Sequence, residues 1–298
     1  MNTSIIIRTF NEAIYLPELL TMIKSQNISS PAEIVVVDSG STDETLAIAE
    51  SFNANIVNIN KDDFTFGRSL NVGCAAAKGE ALVFISGHCI PENEKWLTTL
   101  ISPLAIDNVV YSYGRQIGNE TSKFSEKQIF AKYFPEESSV PQNGFFCNNA
   151  NSALLKSTWE MFNFDEQLTG LEDMHLAKSI INAGFQIAYE ADAEVYHLHD
   201  ESWAQIKRRF EREAIALQHI MPEIHITLTD FVRYYLNAIV HDAITAYRHQ
   251  CLIDNSYEIL IYRLMQFWGS YRGNHIHRKL SKKQKESYFF PKKHTKIE

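Results

Sequence analysis

Short apolar runs alternate with amphipathic stretches through the first half of the chain. Residues 4–8 (SIIIR), 34–38 (IVVVD), 55–59 (NIVNI), 81–85 (ALVFI) and 109–113 (VVYSY) read as short buried strands. Between them, residues 15–25, 44–52, 69–77 and 96–104 space their apolar positions for helices. Pro17 suits an early turn of the first helix, whose apolar face is Leu16, Leu19, Leu20 and Ile23. Gly79 is expected to end the third. Strand and helix in alternation predict an α/β protein with a mostly parallel central sheet covered by helices.

The second half reads differently. Residues 116–143 lose the pattern and are expected to form a polar and aromatic loop or short helix over a site. Residues 147–155 hold a polar core, NNANSA, and 164–171 a turn. A helix follows over 172–183, then two short strands at 187–189 and 194–197. Helices are predicted over 202–219, 227–249 and 257–267, with Pro222 ending or kinking the first. The expected division is an α/β domain over 1–220 and a helical C-terminal region over 221–298.

Composition narrows the function. The chain has 298 residues, 45% of them hydrophobic, enough for a full core. A net charge of −8 argues against a nucleic-acid partner. Residues 278–298 depart from this balance, with Lys and Arg far outnumbering Glu286 and Glu298. Cys74, Cys89, Cys147 and Cys251 show no paired metal spacing and read as reduced thiols. No basic and apolar leader and no bilayer-length run is present, so the expected location is cytoplasmic, with membrane contact peripheral at the inner face.

Four clusters carry candidate chemistry. In EIVVVDSGSTD, Asp38 ends a buried strand and Asp43 precedes a helix. A carboxylate at a strand tip can accept hydrogen bonds from a base or ribose; a plainer reading makes Asp43 a helix-start acid. GxGxxG and GxxxxGK[ST] are both absent, which leaves a nucleotide held by carboxylates. Ser86-Gly87-His88 follows the most apolar strand, where His88 can ligate a cation, touch a phosphate, or do neither. Glu172-Asp173 opens a helix, as dipole-matched acids or as a general base. His197 and His199 share a side if their strand continues. Arg208, Arg209 and Arg212 follow, as pyrophosphate partners or as a solvated face.

Taken in order, SIIIRTFNE, EIVVVDSGSTDET, GRSLNVGCAAAKGE, FISGHCIP, NNANSALL, GLEDMHLA and VYHLH resemble the inverting, GT-A-fold glycosyltransferases of family 2. The likeness is strongest to bacterial rhamnosyltransferase-like enzymes of capsule and O-antigen synthesis, and it covers about residues 2–216. It implies that Thr9, Asn11, Glu12, Asp38, Asp43, Arg68, Asn71, Ser86, Gly87 and Arg209 bind a nucleotide-diphosphate sugar. It implies Asp173 as catalytic base, Asn149, Asn151 and Glu172 on the acceptor side, and His88 and His197 at a metal. The acceptor implied is a saccharide or a lipid-linked one. The helical region and basic tail would suit an anionic membrane surface or a homodimer contact.

One departure matters. The family's Asp-x-Asp after the central strand is Ser86-Gly87-His88 here. The expected cofactor is a divalent cation, Mn²⁺ or Mg²⁺, and imidazole suits Mn²⁺ better than the hard Mg²⁺. The missing carboxylates also leave open a catalytically inactive nucleotide-sugar-binding or scaffold subunit.

Overall fold

A computed structural model describes residues 1–275 and 287–289. They fall into two compact units. The first holds Met1–Ser122, Ile129–Gln167 and Glu172–His199; the second holds Lys123–Gln128, Leu168–Leu171 and the described residues from Asp200 onward.

The first unit is built on one eight-stranded sheet, in the order β3-β2-β1-β4-β7-β6-β8-β5. Strands β1 (Thr3–Thr9), β2 (Glu33–Asp38), β3 (Asn55–Asn58) and β4 (Ala81–Ser86) run parallel. Helices α1 (Leu16–Lys24), α2 (Thr45–Ser51) and α3 (Phe66–Ala76) connect them. β1, β2 and β4 are apolar through their centres because both faces are covered: Ile5, Ile7, Val36, Val83 and Ile85 are buried against Leu16, Leu19 and Leu20 of α1, while Ile6 and Val37 lie against Gly73 of α3 on the other face. The register sets Thr9 beside Asp38 and Arg8 beside Ser86. Three strands therefore end together, and their tips form one edge where ligands bind in such sheets.

Beyond β4 the sheet is mixed. β5 (Cys89–Pro91), α4 (Trp96–Ile101), β6 (Val109–Ile117) and α5 (Phe124–Tyr133) come next in the chain. β7 (Asn151–Leu155), α6 (Lys156–Met161), α7 (Glu172–Asn182) and β8 (Gln186–His197) complete the unit. β7 lies antiparallel between β4 and β6. β6 pairs parallel with β8, and β5 pairs antiparallel with β8, setting Cys89 opposite His197.

Several expectations need correction here. The polar core 147–155 supplies a central strand, with Asn151 and Ser152 fully buried and hydrogen-bonded. The two short strands at 187–189 and 194–197 are one strand, because β6 pairs with β8 across the polar EADA segment. The helix at 96–104 stops at Ile101, and a 3₁₀ turn, Ser102–Ala105, follows with Pro103 inside it. Gly79 does not cap α3. It passes so close to β1 that a Cβ would lie 2.5 Å from the Ser4 amide nitrogen.

The second unit contains α8 (Trp203–Ile220), α9 (Leu228–Arg248) and α10 (Leu252–Asn274). Here the expected boundary at 220 is one helix too late. Gly269 and Gly273 let the backbone of α10 close on Lys207 and Glu211 of α8, so α8 packs with the helices that follow it. Charge is satisfied inside this unit. Arg263 binds Asp242 at 2.7 and 2.8 Å, and Ser125 donates to the same carboxylate at 2.7 Å. Glu258 accepts from the Phe124 and Ser125 amides and so starts α5. α10 runs well beyond the expected 257–267. Among the described residues no helix is long and apolar enough to cross a membrane. The basic segment 278–298 lies outside the described residues except for Ser287, Tyr288 and Phe289.

Candidate active site

The β1 and β2 tips are tied by hydrogen bonds. The Asp38 carboxylate is 1% exposed. It accepts from the Thr9 hydroxyl (3.1 Å), the Ser41 hydroxyl (2.5 Å) and the Gly40 and Ser41 amides (2.8 Å each). Four donors fill its lone pairs. Asp38 thus braces the SGST loop against the end of β1. Asn11, in the left-handed region at φ 59°, accepts from the Thr42 amide at 2.8 Å. Asp43 accepts from the Thr45 hydroxyl and amide and the Ala13 amide. Slight burial pushes its pKa up, but those donors outweigh it and the net shift is downward.

The β4 tip opens on a second cluster. His88, His197 and His199 each present a ring nitrogen within 4.8 Å of the others. The His197 and His199 rings are 4.0 Å apart and those of His88 and His197 5.2 Å. Chain topology explains the meeting. The Leu198 amide donates to the His88 carbonyl at 3.1 Å, which ties the end of β8 to the segment after β4, and His199 follows two residues past the strand's last residue, His197. His88 Nδ1 lies 2.9 Å from Glu12 Oε1, and His197 Nδ1 lies 2.7 Å from Gln116 Oε1. An oxygen acceptor on Nδ1 fixes the tautomer and turns Nε2 to the ligand side, as in metal-bound imidazoles. Gly87 is required here, because a Cβ would lie 2.8 Å from Glu12 Cγ and block that reach. Phe130 stacks on His197 at 5.7 Å and walls the cluster.

The third cluster is at the start of α7. Glu172 and Asp173 are both buried. Arg8, at the end of β1, holds Glu172 at 3.1 Å and lies 5.3 Å over the Phe66 ring. Asp173 accepts the Asn149 amide on Oδ2 and the Met174 amide on Oδ1, each at 2.8 Å. One acceptor site on each oxygen is left, in contrast to Asp38. Burial pushes its pKa up, the Glu172 carboxylate pushes it further, and the two amides and Arg8 only partly oppose them. Since Arg8 pairs with Ser86 in register, the acids sit beside the same strand ends as the histidines.

Not every expected residue comes to this edge. Arg209 is buried in the second unit, bound to Glu126 at 2.9 Å and Glu201 at 2.8 Å, so its pyrophosphate role is corrected to an internal ion pair. Asn151 is fully buried and links Trp96 to the Arg115 and Ala193 carbonyls; it reaches no acceptor. The Asn71 side chain is spent on Trp159, Phe164 and Glu166. Asn149 keeps its side chain on Tyr111 and Ser152 and meets Asp173 through its amide. Arg68, half exposed, lies 3.9 Å from Glu166. Ser86 ends β4. Sequence reasoning missed Arg8 and Gln116. Arg8 is a charged residue near the end of an apolar strand, which was the available signal; Gln116 follows Arg115 near the end of β6 and carried none.

Family comparison decides the class. The family model for glycosyl transferase family 2 matches residues 4–162, more than half of the chain. The chain belongs to glycosyl transferase family 2. It is 29% identical over 213 residues to the O-antigen chain rhamnosyltransferase RfbN of Salmonella typhimurium, covering 67% of each chain. It is 29% identical over 195 residues to the rhamnosyltransferase WbaN of Salmonella anatum, covering 61% of each. The chain thus spans about two thirds of the length of these relatives. Among solved structures, a mannosyltransferase from Pyrobaculum calidifontis in complex with GDP-Man and Mn²⁺ matches with a TM-score of 0.62 at 17% identity, covering 91% of this chain and 84% of that one. Staphylococcus aureus TarS 1–349 with UDP-GlcNAc matches at 0.56 and 18% identity, covering 93% of each chain. These likenesses establish the GT-A fold. In this family-2 glycosyltransferase the sheet edge carrying the three clusters is the candidate active site.

Proposed function

We propose that the chain transfers a sugar, with inversion, from a nucleotide-diphosphate donor to a saccharide or lipid-linked acceptor in bacterial surface-polysaccharide synthesis. The relatives' O-antigen roles support the pathway, and the site supports the reaction. The observation that carries the reading is Asp173: a buried carboxylate with an acceptor site left on each oxygen and a pKa raised toward neutrality. A base of that strength can take a hydroxyl proton near pH 7.

The step balances simply. Asp173 takes the proton of the acceptor hydroxyl. The oxygen bonds to the anomeric carbon on one face as the bond to the nucleoside diphosphate breaks on the other. The Asn149 and Met174 amides hold Asp173 in place, and Glu172 and Arg8 set its charge state. The SGST loop, shaped by Asp38, Thr9, Asn11 and Asp43, forms the nucleotide side, with Arg68 and Ser86 at its margin.

His88, His197 and His199 would hold the divalent cation. Three imidazoles, two of them oriented by Glu12 and Gln116, fit Mn²⁺ or another borderline ion better than Mg²⁺. Such an ion supplies positive charge to the departing diphosphate. The sequence-level rival, an inactive scaffold, rested on the missing carboxylates, and this triad offers a substitute for them.

The test is transfer from a panel of nucleotide-sugars to a lipid-linked acceptor with Mn²⁺, using product detection and donor calorimetry. Donor binding with transfer that vanishes in Asp173→Asn is expected. Donor binding with no transfer by the parent chain to any acceptor would favour the scaffold reading.

A further inference from the structure

Helix α9 is apolar on two sides, and among the described residues only one of them is covered. Phe231, Tyr235, Asp242 and Ala246 turn toward α10, where Phe231 meets Trp268 and Asp242 meets Arg263. A second row, at a strict spacing of four, faces solvent: Val232 (44% exposed), Leu236 (53%), Val240 (57%) and Ile244 (48%). Tyr247 continues it, and Ile253 of α10 is 90% exposed just beyond the hairpin turn. A polar-faced helix needs no such row, and α10 already supplies the contact that holds α9 in its unit.

We propose that a second copy of this chain covers this face, through antiparallel pairing of α9 about a two-fold axis near Ala238. That centre sets Leu236 of one protomer opposite Val240 of its partner, and Val232 opposite Ile244. Each pair matches aliphatic with aliphatic, as a self-complementary surface requires. The helix dipoles also oppose favourably in this arrangement. The exposed apolar row runs through most of α9, from Val232 to Tyr247 (73% exposed), and continues in Ile253. A chain without a partner rarely exposes so much apolar surface.

Charge argues against an anionic bilayer as the occupant. Membrane-surface helices flank their apolar face with Lys and Arg. Residues 228–274 contain no Lys. Asp230, Asp242, Asp254 and Glu258 balance Arg233, Arg248, Arg263 and Arg272. Of the arginines, Arg263 is buried on Asp242 and Arg233 sits 3.6 Å from Asp230. The face is neutral, as two identical surfaces meeting each other require.

Sedimentation velocity of the full chain at micromolar concentration tests this. The expected species has twice the chain mass. Leu236→Glu with Val240→Glu should raise the dissociation constant at least ~100-fold, with helical content unchanged because both residues are exposed in the single chain. A second measurement does not depend on charge insertion. Leu236→Cys with Val240→Cys, in a Cys251→Ser background, should form an intermolecular disulfide under mild oxidation. A parent chain that stays monomeric overturns the proposal, as does a double Glu variant that stays dimeric. Flotation of a monomer on anionic vesicles, lost in the Glu variant, would make this a membrane face and overturns it equally.

Discussion

Glu12 Oε1 sits 2.9 Å from His88 Nδ1, and the side chain reaches it by crossing the bare Cα of Gly87. The residue that the family pattern put in the nucleotide pocket thus serves an imidazole of the candidate cation site. Outer partners of metal-bound histidines are worth ~10–100-fold in affinity. Glu12→Gln should weaken Mn²⁺ binding within that range while donor binding without metal changes little. Gly87→Ala should do the same, since its new Cβ displaces Glu12. Titration calorimetry with Mn²⁺ reads both, and an unaltered affinity in the two variants would break the link.

Asp173→Asn should lower turnover about 10³-fold, the range for loss of a general base. The donor dissociation constant should stay within a few-fold, because Asp173 touches the Asn149 and Met174 amides rather than the nucleotide loop. Single-turnover transfer beside donor titration separates the two. A loss confined to donor affinity would move Asp173 out of the base role.

The pH profile should show the pKa of Asp173, raised to about 7 by burial and then by Glu172. The base works when deprotonated. Activity should therefore fall about tenfold per pH unit below about 7 and level off above it. Glu172→Gln removes a negative neighbour and frees Arg8 to act on Asp173, and both changes favour the carboxylate. The acid limb must move to lower pH. A limb that stays put or moves upward in kcat/KM would mean that another group sets it.

The sequence and the structure agree where the hydrophobic pattern is uniform. β1, β2 and β4 are short apolar runs covered on both faces, so their spans and their common edge could be read directly. β7 was hidden because Asn151 and Ser152 satisfy their polar groups inside the sheet, which no periodicity records. Glu172-Asp173 and His88 were legible as motifs. The state of each group was not. Asp38 ends a strand and Asp173 opens a helix, and both read simply as candidate acids, yet four donors close the first and two leave the second open. Arg209 stood out as a phosphate partner because its carboxylates, Glu126 and Glu201, are not its neighbours on the helix. Gln116 was invisible because its histidine lies on another strand.

Asp38→Ala should cost stability more than chemistry. It strands the Gly40 and Ser41 amides and the Thr9 hydroxyl, each ~1–3 kcal/mol if left buried and unpaired. A melting temperature lower by several degrees is expected, with donor affinity reduced because the SGST loop loses its shape. Ser41→Ala removes one of the four donors and should produce a smaller loss of both kinds. If Asp38 instead gripped the base, Ser41→Ala would leave donor affinity intact, and calorimetry would show it.

The cation preference can be shifted by design. Three imidazoles favour Mn²⁺, while Mg²⁺ asks for oxygen ligands. Parent chain should bind Mn²⁺ at least ~10-fold more tightly than Mg²⁺. Substituting His88→Asp alone would set two carboxylates against each other, because Glu12 is already within hydrogen-bond reach. Glu12→Gln with His88→Asp avoids this, since the Gln amide can donate to the new carboxylate. In that double variant the Mn²⁺-to-Mg²⁺ affinity ratio should narrow, chiefly through a gain for Mg²⁺. The readout is metal affinity rather than turnover, so a slower enzyme does not obscure it. A ratio identical to that of the parent chain would show that His88 does not face the cation.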